Sequence, residues 1–431
     1  MKDGGRLAAA IEVLSEVETR HRPVQVALKE WGAAHRFAGS GDRTVIGNLV
    51  FDALRNKASL GARMNDGGPR ALVLATYCVT WDKGLAGLKD VLAQDQHAPD
   101  PLTEAETERL SDNGYAADMP SAARADVPDW LWQRFDTVFG DSAIDEGRAL
   151  AQRAPVDLRT NTLKADREKV LKRLGHTGAR ATEMSPFGVR IEAKPGLGRM
   201  PHIQAEEGYR KGWFELQDEA SQLAAHIAQA GPGQQVLDYC AGGGGKTLAF
   251  AAAMQNKGQL YAFDADRLRL APIHERLQRA GVRNIQVRDP ASSSLDDLVG
   301  QMDLVFIDAP CTGTGVWRRR PDSKWRLSEK ALEDRIADQR QVLESASKFV
   351  RPGGRLAYVT CSVLSDENQD QATWFLESQA DFRSIPAIDV WKTTLPGTAA
   401  PKYVSGRGDI LLTPASTGTD GFFVALFQRD R

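Results

Sequence analysis

The octapeptide DAPCTGTG, residues 308–315, places a carboxylate, a proline and a thiol where the apolar run DLVFI gives out into a glycine loop. A second thiol, Cys361, stands in the same situation in YVTCSVLSDEN, ahead of small hydroxyl residues and a helix start near Asp366 and Glu367. The chain has only four cysteines, Cys78, Cys240, Cys311 and Cys361. A lone cysteine is read first as a small apolar packing residue, and Cys78, inside ALVLATYCVTW, is read that way. Two thiols at two strand ends on one edge point instead to covalent catalysis. A thiolate is the softest side-chain nucleophile and adds readily to an electron-poor ring carbon. The residues themselves leave open which of the two attacks.

Three further features belong to the same edge. LDYCAGGGGK, residues 237–246, follows a strand and opens a helix, so Cys240, Ala241, Gly242, Gly243, Gly244, Gly245 and Lys246 form a loop whose backbone can approach a ligand closely. It is neither a phosphate-wrapping P-loop, because Cys240 occupies the place of that motif's first glycine, nor a strict G-x-G-x-x-G turn. Asp264, ending the next strand in YAFDAD, is placed to accept hydrogen bonds from the ribose hydroxyls of a nucleoside cofactor, with Asp266 as a helix cap. Asp289, after the third strand, could face an adenine amino group. Consecutive features of this kind favour an adenosine-type cofactor over a merely structural turn. Immediately beyond Cys311, GVWRRRPDSKWR sets Arg318, Arg319, Arg320, Lys324 and Arg326 among Trp317 and Trp325. Basic groups neutralise phosphates and rings stack on bases, which suits a nucleic-acid groove; a solvated loop is the alternative.

The elements that must hold these residues divide the chain in three. Residues 1–145 read as helices, with Val45, Leu49, Leu54 and Leu60 near helical spacing and a surface connector over 94–128. PDWLWQRFDTVFG restarts a helix that Gly140 stops. From 146 to 228 a small α/β unit is expected, from the strand VDLRTNTLK, the helix ADREKVLKRLG and the strand FGVRIEA. From 229 to 431 strands and helices alternate, the pattern of a doubly wound, mostly parallel sheet that binds ligands at the carboxyl ends of its strands. A chain of 431 residues exceeds what one core usually serves. Lys+Arg 55 against Asp+Glu 57 gives a net charge of −2, so any nucleic-acid contact must come from a local basic patch. No CxxC pair or Cys/His cluster calls for a metal. No apolar run is long enough to span a bilayer, and the N-terminal helix is amphipathic, so a cytoplasmic protein without membrane partner is expected.

CAGGGGK, DAPCTGTGVWRRRPDSKW and TCS, with RTNTLK and LQDEASQL upstream and TDGFF near the C-terminus, resemble the RNA 5-methylcytosine methyltransferases of the Sun/Nop/RsmB family over about 150–430. Gly243 departs from that family's C-x-x-P-G-G-K, a change in loop stiffness. The resemblance implies a Rossmann-like methyltransferase domain, an N-terminal NusB-like helical RNA-binding domain, S-adenosylmethionine as cofactor and RNA as partner, ribosomal first and transfer RNA second, with the protein as a monomer. It assigns attack on cytosine carbon 6 to Cys361 and removal of the carbon 5 proton to Cys311. Asp308 would stabilise the adduct at ring nitrogen 3, and Lys246 would orient the base. The glycine loop, Asp264, Asp289 and Asp308 would hold the cofactor, and Arg318, Arg319, Arg320, Lys324, Trp325 and Arg326 the RNA. DNA cytosine methyltransferases attack with a Pro-Cys thiol of the Cys311 type; the second thiol favours the RNA family's assignment. Two other readings remain: a non-catalytic ribosome assembly factor that keeps the fold, and a methyltransferase for small molecules or exocyclic amines, which needs no thiol pair.

Overall fold

The computed structural model describes residues 1–111, 118–290 and 294–431; residues 112–117 of the expected connector lie outside this set. Its contacts divide the chain into two units.

The first unit comprises Met1–Ala154, Ala193–Met200 and Trp317–Leu327 and is helical. Its longest helices are Asp3–Arg20, Val24–Ala34, Ser40–Arg55, Gly84–Gln94 and Asp129–Phe139. Leu7, Leu14, Ile46, Leu49, Val50, Leu72 and Leu88 form its core. The helix expected to run from Val45 through Leu60 is interrupted at Asn56, whose side-chain amide donates to Asp52 O at 2.9 Å and caps the first segment. The chain then restarts as Lys57–Met64. Cys78 is buried in a π-turn, Thr76–Thr80. Residues 94–128 carry the short helices Glu104–Ser111 and Ser121–Arg124.

The second unit comprises Pro155–Glu192, Pro201–Val316 and Ser328–Arg431. Strands β1 (Val156–Thr160), β2 (Arg180–Ala181), β3 (Gly188–Ile191) and β4 (Phe214–Leu216) form an antiparallel sheet in the order β2-β3-β1-β4. Helix Arg167–Leu174 buries Val170 and Leu174, and Asp166 caps it by accepting from Lys169 N at 2.7 Å. The larger sheet holds β5 (Gln235–Asp238), β6 (Gln259–Ala262), β7 (Ile285–Val287), β8 (Met302–Asp308), β9 (Val350–Thr360), β10 (Phe382–Ile385), β11 (Tyr403–Val404), β12 (Ile410–Leu412) and β13 (Phe422–Arg429). Its order is β11-β12-β13-β9-β8-β5-β6-β7, with β10 also on β13. Strands β5 to β9 pair in parallel and reverse direction of growth at β5, the topological switch at which such sheets bind ligands. The antiparallel margin after β9 is additional to the expected alternation. FFVALFQR is apolar almost throughout and is buried on both faces between its neighbours.

Candidate active site at the carboxyl ends of the parallel strands

Beyond Asp238 the chain keeps close to the sheet: Tyr239 N donates to Phe306 O at 2.9 Å and Ala241 N to Phe263 O at 2.8 Å. Gly242 and Gly244 take φ of 49° and 81°, in the left-handed region. A Cβ on Gly244 would lie 2.5 Å from Ile273 Cγ1, so the turn has no room for a side chain. Helix Gly245–Ala253 then starts with no side-chain cap, leaving its first N–H groups available. Arg276 Nη1 braces the loop by donating to Gly243 O at 2.6 Å, as Arg159 Nη1 does to Gly245 O at 2.8 Å. Asp264 is buried at the end of β6 and accepts from Gly242 N and Asp266 N, both at 2.9 Å. Each of its oxygens keeps a second lone pair. An uncapped helix start facing a glycine turn, with a buried carboxylate on the next strand, is the donor and acceptor set that an amino-acid carboxylate and a ribose diol require. Cys240 is set into this turn and burial pushes its thiol well up. Asp266 caps helix Arg267–Leu270 through Leu268 N and Arg269 N. Asp289 follows β7 on the exposed edge and pairs with Arg267 at 2.9 Å.

Lys246 reaches across from that helix to donate to Asp308 Oδ2 at 2.6 Å, and its Nζ lies 5.2 Å from the centre of the Phe422 ring. Beneath it Asp238, fully buried, accepts from the Thr247 hydroxyl at 2.6 Å. Asp238 Oδ1 has no partner. Burial, helped by the charge of Asp308, pushes this carboxyl up to about 7. Past Asp308 the chain turns so that Cys311 Sγ lies 3.3 Å from Cys361 Sγ, just beyond the end of β9. Hydrogen bonding to Cys361, then burial, pushes the Cys311 thiol well up. Gly315 N donates to Cys361 O at 2.9 Å and Gly421 N to Gly315 O at 2.8 Å, so the TDGFF segment is laced to the thiol loop.

The structure therefore brings Cys311 to Cys361 and Lys246 to Asp308. It does not do so for all of the basic segment. Residues 317–327 pack inside the helical unit. Lys324 is buried and donates to Asp126 O at 2.7 Å and Arg55 O at 3.1 Å, with its Nζ between the rings of Trp317 and Trp325 at 5.5 and 5.0 Å. Trp325 Nε1 donates to Leu54 O at 2.6 Å, and Arg55 grips Arg318 O. Lys324 is thus corrected from a groove contact to an anchor, and Arg318 is buried. Arg320 and Arg326 are exposed and Arg319 is half-buried. Asp238 and Gln339 were missed in the sequence, and Glu367 was passed over as a helix start; Asp238 and Glu367 stand close to motif residues, whereas Gln339 carries no such signal.

The sequence model of the 16S rRNA methyltransferase RsmB/F family matches residues 225–428, and that of the RsmF/B-like ferredoxin-like domain matches 127–196. The chain belongs to the RsmB/F family. It is 32% identical over 307 residues to the probable ribosomal RNA small subunit methyltransferase B of Synechocystis, covering 70% of this chain and 66% of that protein. It is 34% identical over 304 residues to the ribosomal RNA small subunit methyltransferase B of Erwinia tasmaniensis, covering 69% and 65%. The match thus spans just under two thirds of these relatives. The crystal structure of PH0851 superposes with a TM-score of 0.73 at 25% identity over 99% of both chains. S-adenosylmethionine is the cofactor of this methyltransferase family, and the glycine turn and Asp264 fit it. Among the described residues no helix is long and apolar enough to cross a membrane.

Proposed function

We propose that this RsmB/F-family chain is an S-adenosylmethionine-dependent RNA (cytosine-5)-methyltransferase acting on small-subunit ribosomal RNA. The observation that carries the reading is the 3.3 Å contact between the two thiols, at the strand ends that also carry the Lys246–Asp308 pair. Cytosine carbon 5 is too weak a nucleophile to take a methyl group unaided. In this reading the Cys361 thiolate forms a bond to carbon 6, and the ring electrons move toward carbon 5 and nitrogen 3. Asp308, held by Lys246, hydrogen-bonds the protonated nitrogen 3 and the exocyclic amine as charge develops. Gly242 to Gly245, Asp264 and Asp289 would hold S-adenosylmethionine, which would supply an electrophilic methyl group to carbon 5. Cys311 then helps take the carbon 5 proton. The pair left on carbon 5 re-forms the ring double bond, the carbon 6–sulfur bond breaks, and Cys361 leaves as thiolate.

Contact with Cys361 and burial disfavour a Cys311 thiolate in the resting protein, which supports Cys361 as the nucleophile; either sulfur can donate across the 3.3 Å contact. We assign the helical unit to RNA binding as a NusB-like domain, and Arg319, Arg320 and Arg326 to RNA contact, in a cytoplasmic monomer. Transfer of tritiated methyl groups to unmodified ribosomal RNA, followed by bisulfite sequencing, tests the reading. Labelled 5-methylcytosine in small-subunit RNA is expected; label in transfer RNA alone moves the substrate, and no label at all returns the protein to an assembly factor.

A further inference from the structure

The parallel ladder between β8 and β9 ends where Ala309 N donates to Val359 O at 2.8 Å. Both cysteines lie beyond it, and Cys361 keeps one backbone tie, from Gly315 N to its carbonyl oxygen. Their neighbours are nevertheless held, and one dipeptide ties both sides of the pair. Glu367, fully buried, accepts from Thr312 N at 2.8 Å, from the Thr312 hydroxyl at 2.5 Å and from Gln339 Nε2 at 3.0 Å. Gln339, itself buried on helix Glu329–Ser347, shares that amide with Pro310 O at 3.0 Å. The residues on either side of Cys311 are therefore tied to Glu367, directly or through Gln339. Asn368 does the same for Cys361. Its Oδ1 accepts from the Thr360 hydroxyl at 2.5 Å and its Nδ2 donates to Ser362 O at 3.0 Å. Tyr358 adds a tie from β9, its hydroxyl donating to Glu367 O at 2.6 Å.

A fully buried carboxylate is costly unless its lone pairs are filled, and burial does push Glu367 above the usual range. An apolar core residue would fill the same space without that cost. What the polar pair adds is direction: four flanking residues, two per cysteine, referred to one rigid point.

We propose that Glu367 and Asn368 are the positioning residues of the thiol pair, setting the sulfur–sulfur approach that carbon 6 addition and carbon 5 deprotonation both need. The catalytic consequence rests on the cytosine-5 reading above; the geometric claim does not. Misplacing a reacting atom by an ångström costs about a hundredfold in rate.

Two measurements separate the claims. The first is closure of Cys311 and Cys361 to a disulfide in the folded protein on adding diamide, followed by peptide mapping; the thiols lose two protons and two electrons, which reduce the azo bond to a hydrazine. The second is kcat and KM for methyl transfer. Glu367→Ala and Asn368→Ala should each slow closure and lower kcat at least tenfold, with KM and affinity for S-adenosylmethionine unchanged. Glu367→Gln, which keeps an acceptor for Thr312 N, should recover part of both. Wild-type closure rates in both alanine variants, with S-adenosylmethionine affinity intact, would overturn the proposal whatever the activity. Slowed closure in a protein that never methylates cytosine would leave positioning standing and remove the functional reading.

Discussion

Asp238→Asn offers a test whose size follows from the structure. Asp238 is fully buried, one oxygen taking the Thr247 hydroxyl and the other without a partner, and its carboxyl is pushed from an ordinary value of 3.8 up to about 7. A folded value raised above the unfolded one means that the native state holds a proton the unfolded chain has already released. The stabilisation is whole below about pH 4, drains away as pH rises through about 7, and stops changing above that. Each pH unit inside the window is worth about 1.4 kcal/mol, or about 3 to 5 °C of melting temperature for a unit of this size. Glu367 and Asp409 are also raised by burial and tilt the curve the same way, so the informative quantity is the difference between wild type and variant. Asparagine keeps an acceptor for Thr247 and carries no titrating proton, but it buries an amide donor at a cost of about 1 to 3 kcal/mol. Scanning calorimetry from about pH 4.5 to 8.5 should show wild type more stable at the acid end, the gap narrowing steadily to about pH 7 and constant beyond. Parallel curves across the range would refute the assignment of a protonated carboxyl beneath the glycine turn.

Gly315→Ala should lose activity and about 1 to 3 kcal/mol of stability, because a Cβ there would stand 2.3 Å from Gly421 O and 2.7 Å from Gly421 Cα, backbone that cannot swing aside; denaturant melts and methyl transfer check this. Lys324→Met should destabilise the helical unit by about 1 to 3 kcal/mol, since the buried Asp126 carbonyl and the half-buried Arg55 carbonyl lose their donor. The same variant should leave the salt dependence of RNA binding unchanged, where a phosphate contact would lower the slope by about one. Asp308→Asn should reduce kcat for methyl transfer by about a hundredfold or more through loss of charge at ring nitrogen 3.

The glycine turn, Asp264, Asp308 and both cysteines were legible because each sits where an apolar strand ends, and strand ends of a parallel sheet share one edge. Residues that act across the fold were not. Asp238 is one position in an apolar strand, and nothing in VLDYC tells a buried acid from a solvent-facing one. Gln339 sits mid-helix among charged neighbours, and its burial follows only from helix Glu329–Ser347 packing on the sheet. The segment WRRRPDSKW misled for the same reason. Its charge pattern fits a groove, yet the acceptors of Lys324 are carbonyls of Arg55 and Asp126, far away along the chain. Interleaved tryptophans beside Pro321 at a helix start were the sign of a packed turn.

Which sulfur attacks decides the mechanism. Cys311→Ala and Cys361→Ala proteins, incubated with S-adenosylmethionine and unmodified small-subunit RNA and run on a denaturing gel, report this directly. Cys311→Ala should accumulate a protein–RNA band that survives denaturant, and Cys361→Ala should give neither band nor methylated product. A stable adduct from Cys361→Ala, or full methylation by it, would contradict the mechanism.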